Sequence, residues 1–444
     1  MRVLVIGKGG REHALLLNLS LSERTERLYA IPGNPGISRL ASCHAMDVDD
    51  FHELVSFVKQ ERIDLTITLS NELITEGIAD FFEANGLDIL APRTDAAQLE
   101  WSKYFAKEFM LRRGIPSSRY AAFNKREYAL AYAHSRRLPI VVRIDGLAPE
   151  NKGVAIVNSY EAAAGAINAC FDGKFAKANK CILIEDYMAG HRASVSAICD
   201  GENYAIFPTT KNYNRLLDGD KGATVDGIGG IAPHPVFDQT LMERVEKEIL
   251  QPMLQGMREE GRPYKGFLHL ELLIDQQKQL SVIEIACSLK EVEAQVCLPL
   301  LECDLLDVLQ CANRGDLAYY KGVLPSAEVS ATACAISIIL NSEGYPEKIA
   351  DGLPVRFRVG LSLGPSSQLI DQSGDIDHSS CRVLLFHMGS KLDSNRSLIT
   401  NGGRVFGVTC LARRISIARR SAYKIVEKID FPGRHYRQDI ALGF

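Results

Sequence analysis

The sequence predicts an α/β protein built in three parts, and three observations carry that reading. The first hundred residues alternate short β-branched runs with amphipathic helical stretches. A Gly114-Ile115-Pro116 stop separates them from a region of shorter, mixed elements, and a third block opens near Ser326. In the first part, strands are expected at 3–6, 27–31, 65–69 and 87–90, with helices at 11–21, 51–60 and 73–84. Strands alternating with helices imply a parallel sheet covered on both faces, with a ligand crevice at the carboxyl ends of its strands. A helix at 95–113 runs into the Gly-Ile-Pro stop. The second part reads as helix 126–137, strands 140–144 and 154–157, helix 160–170 and strand 181–187. Strands of antiparallel type follow, then a Gly/Asp loop at 218–230, a helix at 239–260 and strands at 269–275 and 280–285. The third block carries a Gly/Ser/Pro-rich surface segment at 363–374.

Composition narrows the class. With 444 residues, 46% of them hydrophobic and 24% charged, the chain can bury a large core without covalent staples. A net charge of −4 and a pI near 6.2 argue against a nucleic-acid partner or an acidic-lipid surface. The 11 cysteines are scattered, odd in number and without a CxxC pair, so reduced buried thiols are expected rather than disulfides or zinc. The longest apolar run, around 331–340, is far short of a membrane span, and Met1-Arg2 leads straight into a strand without a signal peptide. The expectation is a cytoplasmic protein with no membrane partner.

Val3-Leu4-Val5-Ile6 followed by Gly7-Lys8-Gly9-Gly10-Arg11-Glu12 is a strand running through a glycine turn into a helix. Such a turn lets backbone N–H groups approach an anion. The third glycine of a dinucleotide loop is missing, and the second strand ends in Ile31-Pro32-Gly33-Asn34-Pro35-Gly36 rather than in a carboxylate. A dinucleotide is therefore disfavoured. A structural turn and a site for a small phosphate or carboxylate both remain open.

From here the residues carry a resemblance. Gly7-x-Gly9-Gly10-Arg11-Glu12-His13-Ala14 and Pro32-Gly33-Asn34-x-Gly36 resemble the opening of the glycinamide ribonucleotide synthetases, or phosphoribosylamine–glycine ligases, of the ATP-grasp superfamily. The likeness continues through Ala97-Gln98-Leu99-Glu100-x-Ser102-Lys103, Pro139 to Ala148 with Lys152-Gly153-Val154, Phe386-His387-x-Gly389-x-Lys391 and Thr400-Asn401-Gly402-Gly403-Arg404-Val405. The resemblance implies a Rossmann-like N-terminal domain over 1–102, an ATP-grasp domain over 103–325 with a mobile lid at about 119–190, and a small α+β domain over 326–444. It implies a ligase of purine biosynthesis that joins an amino acid to a phosphorylated amine through an acyl phosphate. ATP and Mg²⁺ (or Mn²⁺) are the cofactors, and the assembly is a monomer or weak homodimer.

The resemblance also assigns residues. Lys103, Arg143 and Lys152 are the expected phosphate-binding and catalytic cations, with Arg143 standing where the family has lysine. Glu185-Asp186-Tyr187-Met188 fits the hinge that meets adenine. Arg192 falls where the family has its ribose-binding glutamate, although a guanidinium cannot accept hydrogen bonds from hydroxyls. Glu271 and Glu284 are the candidate metal pair, Ala286 having replaced the family's asparagine. Gly9, Gly10, Arg11, Glu12, Pro32, Asn34, Asn401, Gly403 and Arg404 are the candidate substrate residues. Glu150 and Pro149 alter the phosphate loop, and Cys287-Ser288-Leu289-Lys290-Glu291-Val292-Glu293 departs from the family's Cys-Arg-Phe-Gly-Asp-Pro-Glu. Two further readings thus stand beside the ligase: a diverged paralogue acting on another carboxylate or amine, and a non-catalytic homologue that binds a ligand or partner.

Overall fold

The computed structural model describes residues 1–146, 153–173, 181–320, 322–324 and 333–444. The first sheet comprises β1 (Arg2–Gly7), β2 (Arg27–Pro32), β3 (Ser42–Cys43), β4 (Leu65–Thr68) and β5 (Ile89–Leu90), in the order β3-β2-β1-β4-β5 with parallel pairing. Val3, Leu4, Val5 and Ile6 are all buried, as a central parallel strand covered on both faces requires. Helices α1 (Gly10–Leu19) and α2 (Phe51–Glu61) fall as expected, and Asp50 caps α2 by accepting the Glu53 N–H at 3.0 Å. The helix expected at 73–84 is two, α3 (Asn71–Thr75) and α4 (Ile78–Ala84), because Gly77 turns the chain at φ +92.

The helix expected at 95–113 also divides, into α5 (Gln98–Trp101) and α6 (Lys103–Arg112). Ser102 is extended at the break. Its Oγ accepts the Phe105 N–H at 3.1 Å and donates to Asp145 at 3.1 Å, and Asp145 also accepts the Tyr104 N–H. Asp145 and Ser102 thus take the Tyr104 and Phe105 donors of α6, which sets where that helix starts.

The next part contains β6 (Tyr120–Phe123), α7 (Arg126–Ser135), β7 (Ile140–Ile144), β8 (Val154–Val157), α8 (Tyr160–Phe171) and β9 (Ile182–Asp186), with its antiparallel sheet in the order β6-β9-β7-β8. Its small core joins Ala129, Ile140, Val142, Ile167 and Ile184. Lys152, Glu150 and Pro149 lie outside the described residues, as does the expected boundary at 325–326.

The second five-stranded sheet begins with β10 (His191–Asp200) and β11 (Tyr204–Ile206). The expected loop at 218–230 holds more structure than its glycines suggested: β12 (Lys211–Asn212), a hairpin of β13 (Arg215–Leu217) and β14 (Lys221–Thr224), and β15 (Gly229–Ala232). The helix expected at 239–260 runs as α9 (Gln239–Val245), a π turn and α10 (Gln251–Glu259). Strands β16 (Lys265–Ile274) and β17 (Leu280–Ala286), helices α11 (Glu291–Cys297) and α12 (Leu305–Arg314), and β18 (Gly322–Val323) follow, giving the order β17-β16-β10-β11-β18. Helix α11 packs on α1, burying Ala294, Val296 and Cys297 with Leu15, Leu16 and Leu19.

The third part is a sheet of Cys334–Asn341, Arg404–Ala412 and Cys381–His387, backed by the helix Ile415–Val426. The sheet also takes β12 and β15 at one edge, so its pairing reaches back to residues 211–232. The segment expected on the surface at 363–374 is partly interior: Ser367 is buried, its Oγ 2.8 Å from His13 Nε2. All 11 cysteines are free, and among the described residues no helix is long and apolar enough to cross a membrane.

Candidate active site

Two cavities flank the turn from β17 into α11. The larger, about 880 Å³, lies between the β6–β9 sheet and the second five-stranded sheet. It brings together Arg143, Glu185, Asp186, Tyr187, Met188, Arg192, Glu271 and Glu284. Its ends differ in chemistry. Val154, Ile156 and Tyr187, all of them exposed hydrophobics, line one part with Val141, Met188 and Leu273. An apolar slot beside a charged end suits a flat ring joined to a polyanion.

The charged end is a ladder of ion pairs. Glu185, buried on β9, meets Lys107 Nζ at 2.9 Å, Arg143 Nε at 3.1 Å and the Ser118 hydroxyl. The Arg143 contact is an ion pair without hydrogen-bond alignment. Burial alone would push the Glu185 carboxyl up, but Arg143 and Lys107 outweigh it and hold it below its ordinary value. Lys107 and Ser118 were not singled out in the sequence. They become visible only when α6 packs beside β9. Lys103 begins α6, and burial lowers its ammonium's pKa against the pull of Glu284. Among the described residues it has no hydrogen-bond partner, which leaves it available to a ligand. Asp186 is paired with Arg136 at 2.6 Å.

Glu271 and Glu284 are direct cross-strand partners on β16 and β17. Each is engaged by a cation, Glu271 by Arg192 at 3.2 Å and Glu284 by Lys290 at 2.9 Å. Burial raises the Glu271 carboxyl pKa, whereas Lys290, Lys103 and Arg143 overcome burial at Glu284 and depress it strongly. Among the described residues, no group of three or more His, Cys, Asp or Glu gathers to hold a metal. Arg192 and Lys290 are each hydrogen-bonded to one oxygen of these carboxylates, and two facing carboxylates fit a Mg²⁺ shell that phosphate oxygens and waters complete.

The second cavity, about 520 Å³, draws Gly9, Asn34, Asn401, Gly403 and Arg404 to one place from three distant segments. Lys8, Lys391, Asp226 and Glu291 line it as well. The other expected substrate residues sit behind it. Arg11 pairs with Glu12 at 2.7 Å and points toward the Leu289 carbonyl, and Glu12 is buried. Gly10 lies under Gln295 and Glu291, and Pro32 pairs with Gly7 at the ends of β2 and β1. The donors expected to meet an external anion are taken internally: the Gly9 N–H donates to Glu12 at 2.7 Å and the Arg11 N–H to Glu291 at 2.9 Å. Asn34 is likewise committed. Its amide donates to the Lys8 and His387 carbonyls, and its oxygen accepts the Gly36 and Ile37 N–H groups. It braces the pocket wall. Arg404 donates to the Asp226 carbonyl at 2.8 Å.

This arrangement has known counterparts. Family profiles for phosphoribosylglycinamide synthetase match in three consecutive pieces: the N domain at 1–100, the ATP-grasp (A) domain at 101–294 and the C domain at 335–443. A phosphoribosylamine–glycine ligase from Caldanaerobacter subterraneus subsp. tengcongensis is 34% identical over 445 residues, covering 100% of both chains. One from Chlorobaculum tepidum is 36% identical over 450 residues, covering 99% of each. The crystal structure of phosphoribosylamine–glycine ligase from Thermotoga maritima superposes with a TM-score of 0.81 at 26% identity, over 99% of this chain and 100% of that one. The biotin carboxylase domain of 2-oxoglutarate carboxylase from Hydrogenobacter thermophilus, solved with MgADP, shares the fold at a TM-score of 0.70 and 16% identity, over 98% of this chain and 91% of that one. With profiles matched in order over most of the chain and relatives matched over their whole length, the chain belongs to the phosphoribosylglycinamide synthetase family, on an ATP-grasp fold.

Proposed function

We propose that this protein is an ATP-dependent carboxylate–amine ligase that joins glycine to phosphoribosylamine through an acyl phosphate. The observation that carries this reading is the placement of two cavities on either side of one turn, where Lys290 reaches the larger and Glu291 lines the smaller. A nucleotide would lay its base in the apolar slot of Val154, Ile156, Tyr187 and Met188 and its phosphates toward Lys103 and Arg143. Lys152 is the third cation of the proposed set. The phosphorylated amine would occupy the smaller cavity, with Arg404, Asn401, Gly403 and Gly9 around its anionic group. In the first step a glycine carboxylate oxygen attacks the γ-phosphorus and ADP leaves. In the second the amine nitrogen attacks the acyl carbon, phosphate leaves and one proton is released. Cations fixed in place before the reaction stabilise charge as it moves to the transferring group.

The test is ADP release with ATP, glycine and phosphoribosylamine, omitting each in turn. Release that needs all three supports the proposal, and no release with both acceptors present refutes it. One observation favours a second reading: Glu291 fills the α1 donor at Arg11, which reshapes the acceptor side. On that reading the same chemistry serves another small carboxylate or amine, and a panel of such pairs would reveal ADP release where glycine fails.

A further inference from the structure

A ligase of this kind needs a cation for the substrate carboxylate as well as for the phosphates, and most cations of the large cavity are engaged. Arg143 is paired with Glu185, Arg192 with Glu271 and Lys290 with Glu284. Arg215 is exposed and donates to the Gly222 carbonyl at 3.0 Å. Lys211, on β12, lines the same cavity. Among the described residues its ammonium makes neither a hydrogen bond nor an ion pair. The nearby carboxylates, Asp220 and Asp439, are spent on Arg437 at 2.6 Å and 2.7 Å. Burial draws the Lys211 pKa down, as it does for an ammonium withdrawn from water without a carboxylate in contact.

Two rings hold that ammonium instead. Nζ lies 4.8 Å from the centroid of Tyr213 and 4.7 Å from that of Phe444, which also lines the cavity. A ring face attracts the charge without consuming an N–H, so the ammonium keeps its three donors for a ligand. The rings are fixed from outside the cavity. The Tyr213 hydroxyl accepts the Ala441 N–H at 3.0 Å, and the segment leading to Phe444 is laced to the β13–β14 hairpin, the Gly219 N–H donating to Asp439 and the Gln438 N–H to Asp218. Strand β12 is placed with equal care. Thr210 exchanges both backbone hydrogen bonds with Ser194, two residues from Arg192. Asn212 donates to Glu293, whose carboxyl feels the charges of Lys290 and Glu271. Lys211 is thus delivered beside β10, where Arg192 meets Glu271, while Lys103 and Arg143 come from α6 and β7.

We propose that Lys211 receives the carboxylate of the amino-acid substrate and that Phe444 is a positioning residue, holding the ammonium toward the cavity. The proposal rests on the ligase reading and assigns the carboxylate end of that same site. An ammonium that takes one carboxylate oxygen leaves the other oriented to attack the phosphorus.

The experiment measures ADP release by the full-length protein with glycine varied at saturating ATP and phosphoribosylamine, beside calorimetric titration of ATP. Lys211→Met should raise KM for glycine by about tenfold or more and leave the ATP dissociation constant within about threefold. Phe444→Leu keeps the apolar bulk without a ring and should raise the same KM by about threefold, whereas Phe444→Tyr should keep it unchanged. Thermal melting shows that each variant is folded. A folded Lys211→Met with an unchanged KM for glycine overturns the proposal and leaves the ligase reading standing. A loss that falls on ATP affinity instead also overturns it, by placing Lys211 on the phosphates. Equal KM values in the Leu and Tyr variants overturn the role of Phe444. No ADP release by the unaltered protein with glycine or any other carboxylate refutes both the proposal and the ligase reading.

Discussion

Acidification from pH 7 to pH 5 is expected to remove a substantial part of the stability of this protein through histidines buried as neutral bases. His13, His269, His387 and His234 are 0%, 2%, 4% and 6% exposed. Burial pulls His387 and His269 down from the ordinary 6.5 to about 3 and His234 to about 4, and holds His13 well below 6.5. The geometry at His13 agrees. Its Nδ1 accepts the His387 N–H at 3.0 Å, so a proton there would set two donors against each other at the junction of the first and third parts. The unfolded chain binds protons at these rings near 6.5, while the folded chain does not until far lower. Stability is therefore complete above pH 6.5 and falls as the pH drops below it. Between pH 7 and 5 His387, His269 and His234 each cost about 2 kcal/mol, about 6 kcal/mol together. Glu293, pushed up to about 7 by burial, takes up its proton in the same window and offsets about 2 kcal/mol of that. The remainder stands against the 5–15 kcal/mol that roughly spans whole-domain stabilities. Glu185 and Glu284, whose pKa values are depressed, lose their contribution only as the pH falls below the ordinary carboxylate range, outside this window. Urea midpoints by circular dichroism at pH 7, 6 and 5 would measure the slope, and His387→Gln should reduce the loss by about 2 kcal/mol. Coincident midpoints at pH 7 and 5 would refute the reasoning.

Glu185→Gln leaves Lys107 buried without its carboxylate and should destabilise the β6–β9 sheet by about 3–5 kcal/mol. Faster hydrogen exchange in residues 120–186 would report it, and unchanged exchange would count against the ladder. Lys103→Ala should weaken ATP binding by about tenfold in calorimetry with an unchanged melting temperature, because the ammonium is not spent on a protein hydrogen bond. Arg404→Ala should raise KM for the phosphorylated amine by about tenfold while ATP affinity holds; an equal loss of both would place Arg404 outside the substrate cavity. Gly407→Ala would drive a Cβ into the fully buried Gln295 and cost about 1–3 kcal/mol, read from thermal melting.

Local periodicity determined the alternation of β1 to β5 with their helices, and the strands at 140–144 and 154–157 fall where their β-branched runs end. These signals are legible because the periods of two and 3.6 residues lie within a single element. The motif residues were legible too, as residue types in order, and they made the family recognisable. Tertiary structure alone decided what those residues do. Asn34 reads as a ligand contact but spends its whole amide bracing three segments, and the Arg11 N–H reads as part of an anion cradle but meets a carboxylate 280 positions away. Arg192 read as a lost ribose contact and Lys290 as part of a departing stretch, yet β10 and the entry of α11 carry them onto the two carboxylates proposed for metal. Likewise β12 and β15 join a sheet whose other strands begin more than a hundred residues later. Strand partners and ion pairs depend on distances between residues far apart in the chain, and no local period encodes those distances.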